Sequence, residues 1–196
     1  TAIATTTYVA NGVTYTREAL ASFTERVIAI KLKASQKGKL SFTTSYTSPH
    51  LNKKTTINGQ NELVIDGKTS DHEGVPSVVN FEGISHITIK GGSLQRNDTS
   101  ITVKDATEAT IYISIATNFN SYNDVSGNEK LRAKQALEQA SKISFDKLKK
   151  KHIKAYQSFF NRVDLDLGVA KDLTSPTDER LKKFNDNNDP QFVELY

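Results

Sequence analysis

Several groups of residues in this chain have the types that chemistry needs. Asp71-His72-Glu73 sets two carboxylates and an imidazole in a row within the polar loop Lys68 to Ser77, as a metal site or an acid/base group would require. Neighbouring residues converge on a metal only when others join them, and no ligand pair stands at helical spacing. The preferred reading is structural, with the carboxylates turning the loop and His72 hydrogen-bonded. A small metal-dependent hydrolase centred on His72 is the rival. Asn118, Phe119, Asn120, Tyr122, Asn123 and Asp124 combine amides, a carboxylate and rings in a way that grips a sugar. Loops of the same composition also lead into helices, and the turn is favoured. Asn118, Asn120, Tyr122, His72 and Glu73 are therefore the candidate substrate-binding residues; no catalytic or metal-binding residue is assigned. Glycoside hydrolysis calls for two carboxyl groups flanking the scissile bond. Asp164 and Asp166 alternate with Val163, Leu165 and Leu167, which reads as the wet face of a strand. Asp178 with Glu179 reads as a helix start.

The elements that must position these residues change character along the chain. Asn11-Gly12 between Tyr8-Val9-Ala10 and Val13-Thr14-Tyr15 predicts a hairpin with a two-residue turn, because both turn positions need positive φ. Arg26 to Lys33 and Lys39 to Tyr46 follow as strands around Gln36-Lys37-Gly38. Thr55 to Ile57 and Leu63 to Ile65 form another pair. Val78 to Phe81, the stretch through Ile84, Ile87 and Ile89, and Ile101 with Val103 add further extended runs. In the last strand of the series Ile111, Ile113 and Ile115 alternate with Thr110, Tyr112 and Ser114, the period of a strand burying one face. Short strands with turns at this spacing predict an antiparallel sandwich or barrel.

After Ala116 that period stops, and Thr117 to Asn128 reads as a loop. Helix one is expected from about Glu129 to Ser141, capped by a Ser126-x-x-Glu129 box or by Asn128, with Ala133, Ala136, Leu137 and Ala140 as its stripe. Ser144 caps helix two, whose apolar side carries Phe145, Leu148, His152, Ala155, Tyr156 and Phe159. A strand over Val163 to Leu167 and a short helix from Thr177 or Asp178 through Phe184 come next. The domain division expected is 1–117 sandwich, 118–162 loop and helical pair, and 163–196 strand and short helix.

Composition bounds the function. Hydrophobic residues at 36% and charged residues at 24% of 196 describe an ordinary globular chain with room for a core. The absence of cysteine excludes disulfides, Cys-ligated zinc and a Cys nucleophile. The absence of methionine leads to the expectation that Thr1 is no translation start, and the apolar Phe192, Val193, Leu195 and Tyr196 to that of an interrupted element. No signal peptide pattern and no membrane-spanning apolar run are present. The net charge of +4 is thinly spread. Its one dense run, Lys147 to Lys154, reads as a solvated helix face rather than a nucleic-acid surface.

The segments IYISIATNFNSYNDVSGN, AYQSFFNRVDLDLG and PTDERLKKFNDNNDP closely resemble glycoside hydrolase family 95 at the end of its N-terminal β-sandwich and the helical linker after it. TAIATTTYVANGVTYTREALAS and DHEGVPSVVNFEG resemble the same domain. The resemblance implies an antiparallel, supersandwich-like β-sandwich followed by a two-helix linker that leads to an (α/α)6 barrel. It implies inverting cleavage of terminal α-linked fucose in the parent enzyme, an extracytoplasmic location and no cofactor. The family's catalytic Glu, Asn and Asp residues belong to the barrel, and none of those motifs falls within Thr1 to Tyr196. The expected role is thus non-catalytic support, contacting fucosylated glycan only through the parent enzyme and packing on its barrel. The alternative is a free-standing carbohydrate-binding or adhesion module.

Overall fold

The computed structural model describes residues 1–168, 174–184 and 189–195. Among the described residues ten strands lead: β1 (Ala4–Ala10), β2 (Val13–Ser22), β3 (Val27–Ala34), β4 (Leu40–Ser45), β5 (Lys53–Asn58), β6 (Glu62–Lys68), β7 (Asn80–Lys90), β8 (Ser93–Arg96), β9 (Ser100–Ala106) and β10 (Glu108–Thr117). Four helices follow, α1 (Glu129–Ser141), α2 (Phe145–Phe160), α3 (Thr177–Lys183) and α4 (Pro190–Leu195). The strands form a seven-stranded sheet in the order β1-β2-β3-β10-β7-β6-β5 and a three-stranded sheet in the order β4-β9-β8, with every pairing antiparallel. The chain is a β-sandwich followed by helices, as expected. It divides into two compact units, Thr1–Tyr156 and Gln157–Tyr196.

In the first unit the large sheet is covered on both faces. Between the sheets lie Val13, Leu40, Leu63, Ile87, Ile101, Val103 and Ile111. On the opposite face Leu20, Val27, Ala29, Ile84 and Tyr112 pack against Ala133, Ala136, Leu137 and Ala140 of α1 and Phe145 and Leu148 of α2. The alanines let α1 approach the sheet closely, and β10, central to the sheet, lies beneath it. This corrects the one-faced reading of β10. Tyr112 and Ser114 are buried under the helices, whereas Ile115 is 62% exposed beyond the cover of the small sheet. Tyr112 also donates its hydroxyl proton to the Ile143 carbonyl at 3.0 Å, tying the α1–α2 connection to the sheet.

Local chemistry sets most boundaries. Asn11 and Gly12 adopt φ of 50° and 73°, as the hairpin turn demands. Asn128, not Ser126, caps α1, its side chain accepting from the Leu131 N–H at 2.9 Å. Ser144 accepts from the Lys147 N–H at 3.3 Å at the start of α2. The two runs expected around Phe81 and Ile84 are one strand, β7, because Gly83 lies buried inside it; a Cβ there would stand 3.1 Å from Ile65 Cγ2.

Ion pairs pin α2 to the sheet. Lys149 meets Glu18, and Lys151 Nζ reaches Glu25 Oε1 at 2.8 Å. Burial pulls the Glu25 carboxyl upward, but hydrogen bonds from Lys151, Ser22 and Thr24 outweigh it and hold the group below its ordinary value. Its contribution to stability is therefore present at neutral pH and is lost as pH falls through the depressed value.

In the second unit Arg180 forms a bidentate ion pair with Asp189 at 2.6 and 2.7 Å and lies over the Phe192 ring. The short helix expected here is α3, but its N-cap is Pro176, with no side-chain cap hydrogen bond, rather than Thr177 or Asp178. The strand expected over Val163 to Leu167 does not appear. Those residues form no strand, and Val163 and Leu165 are exposed. Alternation describes which face a strand would bury, but a strand exists only where a neighbouring edge takes its backbone groups. Tyr196 lies outside the described residues. Among the described residues no helix is long and apolar enough to cross a membrane.

Candidate functional site

Antiparallel pairing gathers three connections at one end of the large sheet. Ser22 pairs with Val27, Lys68 with Asn80, and Phe81 with Thr117, so the 23–26 turn, the 69–79 loop and the 117–128 loop all leave from the same side. The candidate substrate-binding residues all fall on the last two of these loops.

The 117–128 loop is built around Asn118, which is only 5% exposed. Its Nδ2 donates to the carbonyls of Val78 at 3.2 Å and Val125 at 3.0 Å, while its Oδ1 accepts from the Asn80 N–H at 2.9 Å. Every polar end of this side chain is spent inside the protein, tying the 117–128 loop to the 69–79 loop. Asn120 is exposed, yet its amide is also engaged. Nδ2 donates to Asp124 at 2.9 Å and to Ser126 at 3.3 Å, and Oδ1 accepts from Arg132. The Ser126 N–H and hydroxyl and the Asn120 amide hold the Asp124 carboxyl below its usual range. Tyr122 sits on the turn bracketed by the Ser121–Asp124 bridge and is 93% exposed.

Sequence reasoning overlooked Arg132. From the first turns of α1 its guanidinium reaches back to the Thr117 carbonyl at 2.8 Å and the Phe119 carbonyl at 2.9 Å. Gly127 makes this possible, since a Cβ there would stand 2.5 Å from Arg132 Nη1. The nearby Asn-rich composition advertised a loop; nothing local showed that an arginine several residues on would organise it. Together with Arg26, Ile115, Ala116, Phe119 and Asn120, Arg132 lines an open depression of about 550 Å3. Charged, hydroxyl and amide side chains line it alongside Ile115, Ala116 and Phe119.

His72 and Glu73 occupy the tip of a small hairpin. The His72–Val75 bridge closes it, with Glu73 and Gly74 at φ of 49° and 78°. Asp71 Oδ1 braces its base by accepting from the Ser77 N–H at 2.8 Å. The turning role expected of the carboxylates thus belongs to Asp71. Among the described residues the hydrogen bond expected of the His72 ring is not seen. The ring is exposed, and its charged neighbour is the Glu73 carboxylate at 3.9 Å. Among the described residues the hydrogen bonds of His72 are those of its main chain, N–H and C=O, to Val75. Among the described residues no hydrogen bond or ion pair joins His72 or Glu73 to Asn118, Asn120 or Tyr122, and no group of three or more His, Asp or Glu residues is arranged to hold a metal.

A carboxylate, too, went unnoticed in the sequence. Glu82 on β7 lies beside Asp66 on β6 and is buried near the start of α1. Burial pushes its carboxyl above the ordinary glutamate range, Lys130 pulls it back, and Asp66 and Glu129 push it further up. A carboxyl raised in the folded state favours folding while protonated, and that advantage is lost as pH rises through the raised value. Glu82→Gln is therefore expected to raise the melting temperature at neutral pH and to leave it unchanged at acid pH, as a pair of thermal melts would register.

A large antiparallel sheet capped by a small one, with an α-helical pair on its outer face and a loop cluster at one end, defines a helix-covered β-sandwich domain. Residues 1–122 match the family described as glycosyl hydrolase family 65, N-terminal domain, and the chain belongs to that family. Residues 144–196 match the family 95 catalytic domain of glycosyl hydrolases, so α2 and the residues after it carry that second likeness. The family 95 resemblance seen in the sequence is thereby shown, with the sandwich itself matched under the family 65 heading. Among curated proteins the chain is similar to Alpha-L-fucosidase 2 of Arabidopsis thaliana, at 28% identity over 100% of this chain and 26% of that protein. It thus spans about a quarter of the relative's length. Among solved structures a putative kojibiose phosphorylase from the human microbiome shares the fold, with a TM-score of 0.51 and 20% identity over 81% of this chain and 23% of that one.

Proposed function

We propose that this chain is the non-catalytic N-terminal support of a glycoside hydrolase acting on terminal α-L-fucosides. The sandwich buttresses an (α/α)6 barrel, and the loop end, with its depression beside Arg26, Phe119 and Arg132, contributes to one rim of the substrate pocket. The reading rests on one observation: a sandwich of glycosidase N-terminal type runs directly, through α1, into a helix matched as part of a family 95 catalytic domain. Fucosylated glycan is then met through the parent enzyme, outside the cytoplasm, and specificity is a property of the assembled pocket.

The exposed Tyr122 ring favours a second reading, a sugar-binding module whose aromatic face stacks on a pyranose. Calorimetric titration with fucosylated glycans separates the two. The support reading expects no heat at millimolar ligand. Millimolar or tighter binding that disappears in Tyr122→Ala would establish the module instead.

A further inference from the structure

Glu25 and Glu82 are both buried carboxylates, and the fold treats them in opposite ways. Glu25 is met by Lys151, Ser22 and Thr24. Glu82, on β7 and only 8% exposed, makes no hydrogen bond and no ion pair among the described residues. Its surroundings do little to welcome a charge. Across the β6 pairing stands Asp66, across the β10 pairing stands the uncharged Ala116, and the first turn of α1 brings Glu129 and Lys130. Lys130 is the cation of the group, yet it is exposed and pairs with no carboxylate among the described residues. Burial, the largest influence, raises the carboxyl, and Asp66 and Glu129 add to it against the pull of Lys130.

An ionised carboxylate left dry and unpaired is costly, so Glu82 either keeps its proton or must reach water. β7 lies between β6 and β10 in the middle of the large sheet and cannot move aside. α1 can, because helix ends open far more readily than interior strands. Its first turn, residues 129–132, also carries Arg132, whose guanidinium holds the Thr117 and Phe119 carbonyls. Lifting that turn to hydrate Glu82 therefore gives up the grip on the 117–128 loop.

We propose that Glu82 is a proton-operated latch on the loop end: protonated, it lets the first turn of α1 lie down on β7 with Arg132 holding the 117–128 loop, and ionised, it favours the lifted turn and the released loop. The direction follows from the raised value. In the lifted state the carboxyl has its ordinary value, so closure is favoured below that value and the advantage is lost as pH rises through the raised one. Asp124, the loop's own carboxyl, is held below its usual range by Ser126 and Asn120 and stays ionised throughout that window. The device rests on the domain's own residues, whatever the loop end meets.

Amide hydrogen exchange, corrected for intrinsic rates and followed across a pH series from mildly acid to mildly alkaline, tests this. Amides between residues 117 and 132 should exchange through openings much smaller than global unfolding. Their open fraction should grow by up to about tenfold per pH unit between the ordinary and the raised value, then level off. Glu82→Gln has no proton to lose, and its open fraction should stay flat across the series. Lys130→Gln, at an exposed position, removes the group that lowers the carboxyl, so the levelling-off should move to higher pH. Parent exchange that ignores pH overturns the proposal, and so does exchange in this stretch as slow as that of the inter-sheet core around Leu63 and Ile87. A pH dependence that persists in Glu82→Gln overturns it as well, because another group such as His50, whose Nδ1 accepts from the Ser70 N–H at 3.1 Å, then governs the loop end. A levelling-off that Lys130→Gln leaves in place or moves to lower pH does the same.

Discussion

Asn118→Ala is expected to destabilise the protein by about 3 kcal/mol and to lower its melting temperature by roughly 6–12 °C. The substitution leaves the Asn80 N–H and the carbonyls of Val78 and Val125 without the partner they now have at 2.9–3.2 Å. Unpaired buried groups carry their full desolvation penalty, and here one side chain serves them all. Hydrogen exchange should quicken in both the 69–79 and the 117–128 loops, since Asn118 is the tie between them. Tyr122→Ala, on an exposed ring of the same loop, should change the melt by no more than about 0.5 kcal/mol. Equal effects from the two substitutions would show that Asn118 is no brace.

A comparable loss is expected at the helical face. Leu148 is fully buried where α2 meets Leu20, Val27, Ala29 and Tyr112 of the large sheet. Leu148→Ala should cost about 3 kcal/mol through lost transfer energy and the cavity left behind. The damage should be local. Amides of α2 between Phe145 and Tyr156 should lose protection first, while the inter-sheet core around Leu63, Ile87 and Ile101 keeps its own until global unfolding. Uniform loss of protection would mean that helices and sandwich are one cooperative block.

Turn chemistry made the hairpins legible: Asn11-Gly12 can serve few structures other than the one seen, and the alternation of Leu40, Phe42 and Thr44 marks a strand whatever covers it. β8 escaped notice because four residues with a single apolar member, Leu94, are too short to show a period. β10 was read as one-faced because alternation reports residue type, and Tyr112 and Ser114 are polar residues that a helix nonetheless buries. Val163 to Leu167 alternates in sequence yet is no strand in the structure, because alternation alone does not make a ladder. At the candidate site, composition marked two loops but not the use of their residues. The amide of Asn118 looks the same in sequence whether it faces a ligand or three backbone groups, and Arg132 and Glu82 matter only through partners distant in the chain.

The support role is tested most directly by the rate at which this chain alone hydrolyses an aryl α-L-fucoside. No turnover above the buffer rate is expected, because the support reading leaves the catalytic groups to the barrel. Steady turnover that a single substitution within the chain abolishes would contradict it.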